Sequence, residues 1–151
     1  MRIGTDLDDT LIDHTENRLI AKGDKALLYG ELSLQAPPLK NAIEILLKLK
    51  AEGHEITIIS RRVPAGRPFA IKWISKHISW FQQEKIIFTT TDEEKSAICS
   101  SLGLDIFIDD SAKVLAHITP PTKTILFNGN KNTETSPFAK MNSWEELPHL
   151  L

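Results

Sequence analysis

Three carboxylates stand within four positions of this sequence, at Asp6, Asp8 and Asp9. They lie at the end of a short apolar run, residues 2–7, which predicts a first strand. Like charges this close together repel one another and raise one another's pKa unless a cation or a proton offsets them. The cluster, which Thr10 follows directly, therefore predicts a metal-assisted reaction centre.

Polar side chains also follow two other predicted strands. Ser60 and Arg61 come after the second strand, and Asp109 and Asp110 after the fourth. In open α/β sheets, ligands bind beyond the carboxyl ends of the strands. We therefore expect these side chains to meet the first acidic cluster at one edge of the sheet.

Lys95 occupies an unfavourable position for a cation. It falls in the first turn of a predicted helix, residues 93–102, where the positive end of the helix dipole disfavours a positive charge. Glu93 and Glu94 offset part of that cost, but a nearby acidic centre explains the position better than helix stability does.

The elements that must position these residues follow from the hydrophobic pattern. Short β-branched runs alternate with segments of helical period, which is typical of a parallel sheet flanked by helices. The predicted strands are residues 2–7, 55–59, 86–89, 106–108 and 124–127. Three longer helices are predicted: one opened by Pro37 and Pro38 and ended by Gly53, one over residues 68–78, and one over 93–102 with Asp92 as N-cap and Gly103 at its end. A fourth helix is predicted to start near Ser111, and a short last one near Ser143 or Trp144. Residues 128–142 are predicted to form an exposed loop.

Residues 12–36 do not fit this alternation, because they are too many for a tight connection between a strand and a helix. Long connections inside compact domains are often lids or binding loops, so His14, Arg18 and Tyr29 are candidates to meet a substrate. The alternative is an ordinary helix whose packed face is formed by four apolar residues: Leu19, Ile20, Leu27 and Leu28.

Bulk composition limits the class of protein. With 151 residues and 41% apolar content, the chain predicts one globular domain. A net charge of −2 argues against nonspecific nucleic-acid binding. The apolar runs are too short to span a membrane, and nothing at the N-terminus resembles a signal peptide. Together with the single Cys99, which is expected to be a buried structural thiol, this predicts a cytoplasmic protein.

The collected residues can be assigned the parts of a phosphoryl-transfer site. Asp6 and Asp109 can supply the carboxylate oxygens that Mg²⁺ prefers. An ionised carboxylate can also attack phosphorus without an activating base, and Asp8 could serve as acid and then as base. The candidates for holding the phosphate are Thr10, Ser60, Arg61 and Lys95.

In their order along the chain, these residues resemble the four motifs of the haloacid dehalogenase-like phosphohydrolases: Asp6-x-Asp8-x-Thr10, Ser60, Lys95 and Asp109-Asp110. The resemblance implies a Rossmann-like fold. It also implies that Asp6 is the nucleophile, that Asp8 is the general acid and base and a metal ligand through its backbone carbonyl, and that Asp109 is the other metal ligand, with Asp110 supporting. Selectivity in that family usually comes from a cap inserted after the first motif, so residues 12–36 would be a minimal cap.

Four features are similar to the small nucleotidase-like members of that family: the short insert and the runs Ile59-Ser60-Arg61, Ile108-Asp109-Asp110-Ser111 and Ile125-Leu126-Phe127-Asn128. They favour a small phosphorylated substrate such as a nucleotide, without excluding a phosphorylated polymer. Two other classes stay open, a receiver-like signalling domain and a non-enzymatic binder of phospho-ligands. The first is disfavoured because receiver-like domains place the phosphoacceptor Asp after the third strand, where this chain has three threonines, Thr89 to Thr91. Oligomeric state is not readable from the sequence.

Overall fold

The computed structural model describes residues 1–129 and 136–151. Its centre is a six-stranded, all-parallel sheet with the strand order β3-β2-β1-β4-β5-β6. The strands are β1 (Arg2–Thr5), β2 (Glu55–Ser60), β3 (Ile86–Phe88), β4 (Ile106–Asp109), β5 (Lys123–Phe127) and β6 (Ala139–Met141). The predicted Rossmann-like α/β class is confirmed, with one strand more than the five expected.

Helices connect the strands and cover the sheet. They are α1 (Thr15–Ala21), α2 (Lys25–Leu28), α3 (Ala42–Ala51), α4 (Arg67–His77), α5 (Asp92–Leu102) and α6 (Ala112–Leu115), and 3₁₀ segments include Glu31–Gln35 and Trp144–His149. Side chains alternate across the strands, so Ile58 and Ile108 pack in one buried cluster while Ile59 and Phe107 pack in another. This double burial explains why the strands are continuously apolar.

The topology places the ends of β1 and β4 side by side. The two strands pair directly, and the backbone N–H of Asp6 donates to the carbonyl of Ile108 at 2.8 Å. Residues that follow the two strands therefore become neighbours, although about 100 positions separate them along the chain.

The predicted loop 128–142 is wrong at its C-terminal end. Ala139–Met141 forms β6 and pairs in parallel with β5, and Met141 is fully buried against the core. Polar composition hid a strand of only three residues at the edge of the sheet, where one side chain suffices to anchor it. Residues 130–135 of that predicted loop lie outside the described residues.

Two helix starts also differ from prediction. Pro37 and Pro38 do not open α3, which begins at Ala42, because Pro38 is held in a bridge with Ile12. In α5 the N-cap is Thr91, whose hydroxyl accepts a hydrogen bond from the backbone N–H of Glu94. Asp92, the predicted cap, is the first helical residue.

The insert 12–36 folds as α1, α2 and a 3₁₀ segment above the sheet. The alternative of a packed apolar helix face is wrong for Leu19 and Ile20, which are 75% and 60% exposed. The buried residues of α1 are instead Asn17 and Ala21.

Candidate active site

The turn that follows β1 is closed by its own backbone. The carbonyl of Leu7 accepts hydrogen bonds from the N–H groups of Thr10, Leu11 and Ile12. Asp9 takes the left-handed conformation that this turn requires, with φ of 63°. Trp144, from the other end of the chain, donates its indole N–H to the carbonyl of Thr10 at 2.8 Å. The carboxylates before and inside the turn are thus fixed on rigid backbone.

Asp6, Lys95 and Asp109 form a buried ionic cluster. The Lys95 ammonium lies 2.9 Å from Asp6 Oδ1 and 2.9 Å from Asp109 Oδ2. The Thr10 hydroxyl donates to Asp6 Oδ2 at 3.2 Å, and the backbone N–H of Ser111 donates to Asp109 Oδ1 at 3.0 Å. The prediction that Lys95 faces an acidic centre is confirmed.

One ammonium does not balance these carboxylates. Burial and the charge of Asp109 raise the pKa of Asp6 well above its ordinary value, against the opposing effect of Lys95. Burial also raises the pKa of Asp109 to about 6, again against Lys95 and with a further contribution from Asp110. Burial disfavours the charged form of Lys95, but the two carboxylates outweigh it and raise the pKa of the ammonium.

The donor set of this cluster fits a hard divalent cation. Carboxylate oxygens of Asp6, Asp109 and Asp110 lie within 4.8 Å of one another. Oxygen ligands of this kind are those that Mg²⁺ prefers, and a cation among them would favour their ionised forms. The carboxylate of Asp8 is not among these oxygens and is bound by Arg62 and His14 instead.

The carboxylate of Asp8 is clamped by two basic side chains. Arg62 donates from Nε to Oδ2 at 3.0 Å and from a terminal nitrogen to Oδ1 at 2.7 Å. His14 Nε2 also lies 2.7 Å from Oδ1. Burial disfavours the ionised form of Asp8, but the hydrogen bonds from His14 and Arg62 and the charge of Arg62 outweigh it and lower the pKa of Asp8 to about 2.

Arg62 is the functional candidate that the sequence did not reveal. Only 1% of its side chain is exposed, and its remaining donors reach the carbonyls of Tyr29 and Gly66 and the Ser33 hydroxyl. The only sequence signal was an Arg-Arg pair after a buried strand, and the sequence does not say which of the two turns inward. The partners that decide this lie 4, 29, 33 and 54 positions away.

An open cleft of about 520 Å³ lies over these groups. Its described lining includes six of the predicted site residues: Asp6, Asp8, Arg61, Lys95, Asp109 and Asp110. Thr10 and Ser60 are buried and are not part of that lining. The predicted site residues are therefore brought together, with two of them beneath the surface of the cleft.

Arg61 stands at the mouth of the cleft. Its side chain is 54% exposed, and it pairs with Asp92 in the first turn of α5 at 2.6 Å. Arg61 thus lines the cleft while its charge is paired with a carboxylate. Ser60, one position earlier, accepts a hydrogen bond from the backbone N–H of Arg62 at 3.4 Å.

The three insert residues singled out from the sequence have different surroundings. Tyr29 lines the cleft. His14 is buried under Tyr29, edge-on to its ring, with its Nε2 toward Asp8. Arg18 forms a two-pronged ion pair with Asp9. Of the three, Tyr29 alone lines the cleft that the described residues form.

Cys99 behaves as expected for a structural thiol, since burial raises its pKa to about 12 and keeps it neutral. Within the described ranges, no helix combines the length and the apolar character needed to cross a bilayer.

Comparison with known proteins identifies related families. Residues 25–151 match the sequence model of the family described as 5′ nucleotidase, deoxy (Pyrimidine), cytosolic type C protein. A Bacillus cereus protein, named provisionally as a nucleotidase, is 24% identical over an alignment covering 100% of this chain and 98% of its own length. A similarly named protein of Oceanobacillus iheyensis is 27% identical over 112 residues, which cover 74% of this chain and 60% of that protein.

Solved structures share the fold. A haloacid dehalogenase-like hydrolase of Xanthomonas campestris superposes with a TM-score of 0.69 at 13% identity, covering 99% of this chain and 93% of its own. The Bacillus subtilis hydrolase YfnB, solved with magnesium, superposes with a TM-score of 0.68 at 14% identity, covering 99% of this chain and 97% of its own. A class C acid phosphatase of Bacillus anthracis superposes with a TM-score of 0.61 at 21% identity, covering 75% of this chain and 52% of its own. The resemblance to haloacid dehalogenase-like hydrolases is confirmed.

Proposed function

The chain belongs to the family of cytosolic type C 5′-nucleotidases, and we propose that it is a Mg²⁺-dependent phosphatase that hydrolyses a small phosphomonoester, a nucleotide in the first place, through an aspartyl-phosphate on Asp6. The observation that carries the proposal is the pair of carboxylates Asp6 and Asp109 at the floor of the cleft, joined by Lys95 at 2.9 Å to each. The relatives named as nucleotidases support the choice of substrate class.

Asp6 is the nucleophile in this proposal. One of its carboxylate oxygens forms a bond to phosphorus while the bond from phosphorus to the ester oxygen breaks, and the electron pair of that bond goes to the departing oxygen. Because its pKa of about 2 leaves Asp8 ionised in the resting site, Asp8 takes the proton of the monoanionic ester and passes it to this departing oxygen. Water then attacks phosphorus, its proton goes to Asp8, and the bond between phosphorus and Asp6 breaks to release inorganic phosphate.

Asp6, Asp109 and the backbone carbonyl of Asp8 would hold the Mg²⁺, with Asp110 in support. When bound there, the ion supplies positive charge that offsets the transferring phosphoryl group. The Lys95 ammonium adds to that charge from the floor of the cleft, and Arg61 does so from its mouth. Thr10 orients Asp6 by its hydrogen bond, and Ser60 is the remaining candidate to hold the phosphate oxygens.

The proposed setting is the reducing cytoplasm, which a free, neutral Cys99 suits. The proposed partner is a small substrate rather than a polymer surface, since the chain carries no basic field, with a net charge of −2.

The test is phosphate release from p-nitrophenyl phosphate and a panel of nucleotides and sugar phosphates, with and without Mg²⁺. We expect Mg²⁺-dependent turnover that falls about 10³-fold or more in Asp6→Asn, because the nucleophile is removed. Asp105→Asn is the matched control. Asp105 lies at the opposite, amino-terminal ends of the strands, where its carboxylate accepts a hydrogen bond from the backbone N–H of Arg2. The amide oxygen of Asn can accept the same hydrogen bond.

Absence of turnover on every ester, in a folded protein that binds Mg²⁺, would contradict the proposal. It would favour instead the non-enzymatic binder of phospho-ligands. Equal turnover by Asp6→Asn and the unmodified chain would remove Asp6 from the nucleophile's role while leaving the phosphatase activity in place.

A further inference from the structure

The insert 12–36 exposes an unusual amount of apolar surface for so short a segment. Among the eight large apolar side chains that are exposed in the described part of the chain, three belong to it: Leu19 at 75%, Ile20 at 60% and Leu27 at 39%. Leu19 and Ile20 are consecutive in α1, and Leu19 is the most exposed of the eight. Apolar side chains left side by side in water are typical of an interaction surface.

The opposite face of α1 holds this helix on the protein. Asn17 and Ala21, four positions apart, are buried, and the side-chain amide of Asn17 donates to the carbonyl of Leu32 at 2.8 Å. With about 3.6 residues per turn, Leu19 points half a turn away from the midpoint of these two residues and so lies at the centre of the outward face. The described lining of the catalytic cleft contains no residue of α1, so this face is separate from the candidate active site.

Opposite charges flank Leu19 at equal spacing. Glu16 precedes it by three positions, and Lys22, at the end of the helix, follows it by three. Both are exposed, and neither forms an ion pair with another described residue. The other cation of α1 is Arg18, whose charge is already paired with Asp9. The outward face therefore carries one uncommitted charge of each sign, with an apolar centre between them.

We propose that the outward face of α1 is a contact surface between two copies of this chain. In a two-fold pair of antiparallel α1 helices centred on Leu19, Glu16 of one copy lies opposite Lys22 of the other, because both are three positions from the axis. This ion pair forms twice, once on each side of the axis, while Leu19 and Ile20 of the two copies bury one another. A parallel arrangement would set Glu16 against Glu16 and Lys22 against Lys22, which like-charge repulsion disfavours.

The charge of this segment favours a second copy over a lipid surface. Apart from the paired Arg18, residues 15–25 carry two acidic and two basic side chains: Glu16, Asp24, Lys22 and Lys25. These charges cancel, whereas helices that lie on anionic membranes carry a basic excess beside their apolar face. A two-fold contact, in contrast, requires one surface that is complementary to itself, and the spacing of Glu16 and Lys22 about Leu19 meets this requirement.

The test is the oligomeric state of the full chain, measured by sedimentation velocity between about 1 and 500 μM. A contact made by one helix of seven residues is well below the ~800 Å² per partner of stable complexes, so we expect a weak dimer. Leu19→Lys should raise the dimer Kd about 100-fold or more, because it puts two charges at the centre of the apolar contact. Leu47→Lys is the matched control, since Leu47 is 48% exposed on α3, and it should leave the Kd unchanged.

Reversal of the two charges tests the antiparallel arrangement. Glu16→Lys and Lys22→Glu should each raise the Kd about tenfold at low salt, because each variant breaks both ion pairs and sets like charges opposite one another. The double variant, Glu16→Lys with Lys22→Glu, should return the Kd to within about threefold of that of the unmodified chain. Circular dichroism of every variant verifies that the change has not unfolded the protein.

Three outcomes would overturn the inference: a chain that stays monomeric throughout this concentration range, a dimer that Leu19→Lys leaves intact, and a double variant that dimerises no more tightly than the single variants. Monomers that bind phosphatidylserine vesicles, and lose that binding in Leu19→Lys, would assign the face to a membrane instead. None of these measurements depends on catalysis, so the inference and the proposed function can fail separately.

Discussion

Asp6 and Asp8 are two residues apart on one turn, yet their surroundings differ in kind. Asp8 accepts three hydrogen bonds from Arg62 and His14, and its pKa is lowered to about 2. Asp6 shares one ammonium, Lys95, with Asp109, and burial together with the charge of Asp109 raises its pKa. The protein thus neutralises the negative charge of Asp8 fully and that of Asp6 only in part.

The difference separates what the chain provides from what it leaves to ligands. Around Asp8 the protein supplies all the positive charge and fixes the geometry before any substrate arrives. Around Asp6 and Asp109 it leaves like charges short of a cation, at a cost in stability that a bound cation would relieve. Under the proposed function, the contacts of Asp8 are formed in advance, whereas the cluster of Asp6 and Asp109 receives Mg²⁺ and phosphate.

The largest effect should come from removing a carboxylate of the second region. Asp109→Asn should lower Mg²⁺-dependent turnover by about 10³-fold, because an amide is a poorer ligand and carries no charge. It should also abolish the rise in Tm that Mg²⁺ gives the unmodified chain by mass action. Both effects are checked by steady-state kinetics and thermal unfolding with and without Mg²⁺.

The control for this variant is again Asp105→Asn, which should keep the full response to Mg²⁺. Full activity in Asp109→Asn, or an unchanged Mg²⁺-induced shift in Tm, would contradict the ligand role. It would also erase the contrast drawn between the two regions.

A second test removes the cation that the cluster does possess. Lys95→Met should lower the free energy of unfolding by about 3 kcal/mol at neutral pH, since it leaves the buried carboxylates of Asp6 and Asp109 without a positively charged partner. Mg²⁺ should then stabilise this variant more than it stabilises the unmodified chain. Chemical denaturation measures both effects, with Lys113→Met, an exposed change at the rim of the cleft, expected to stay within about 0.5 kcal/mol.

Equal stability of Lys95→Met and the unmodified chain would show that the cluster needs no internal cation. That result would place Asp6 and Asp109 in their neutral forms in the absence of metal.

The cluster of Asp6, Lys95 and Asp109 could be predicted well from the sequence, whereas the surroundings of Asp8 could be predicted only in part. Asp6 and Asp109 follow buried parallel strands, so the general rule for strand ends was enough to bring them together. Lys95 was recognisable because its charge conflicts with its place in the helix. Arg62 had no such conflict, and its role depends on carbonyls of Tyr29 and Gly66 whose approach is a tertiary property.

The fold shows the same division between local and tertiary signals. The apolar strands were found because burial on both faces leaves a continuous pattern. β6 was missed because its three residues include one exposed and one half-buried side chain, so its pattern is shorter than any periodicity. The alternative of a packed apolar helix face in residues 12–36 is wrong for Leu19 and Ile20, because helical spacing alone does not show whether another element covers a side chain.

The smallest effect is a difference of sign in the pH dependence of stability without metal. The pKa of Asp8 is about 2 in the folded protein and about 4 in the unfolded chain. Between about pH 2 and pH 4, the unfolded chain therefore binds more protons than the folded protein. The free energy of unfolding consequently rises with pH across this window, by about 2 kcal/mol. The pKa of Asp109 is about 6 in the folded protein, so stability falls as pH rises from about 4 to 6. Asp8→Asn should flatten the first slope and Asp109→Asn the second, measured by urea unfolding at each pH, while Asp105→Asn changes neither. If both variants change the slope in the same pH window, Asp8 and Asp109 titrate as one group. The surroundings of Asp8 and the cluster of Asp6 and Asp109 would then not be separate regions.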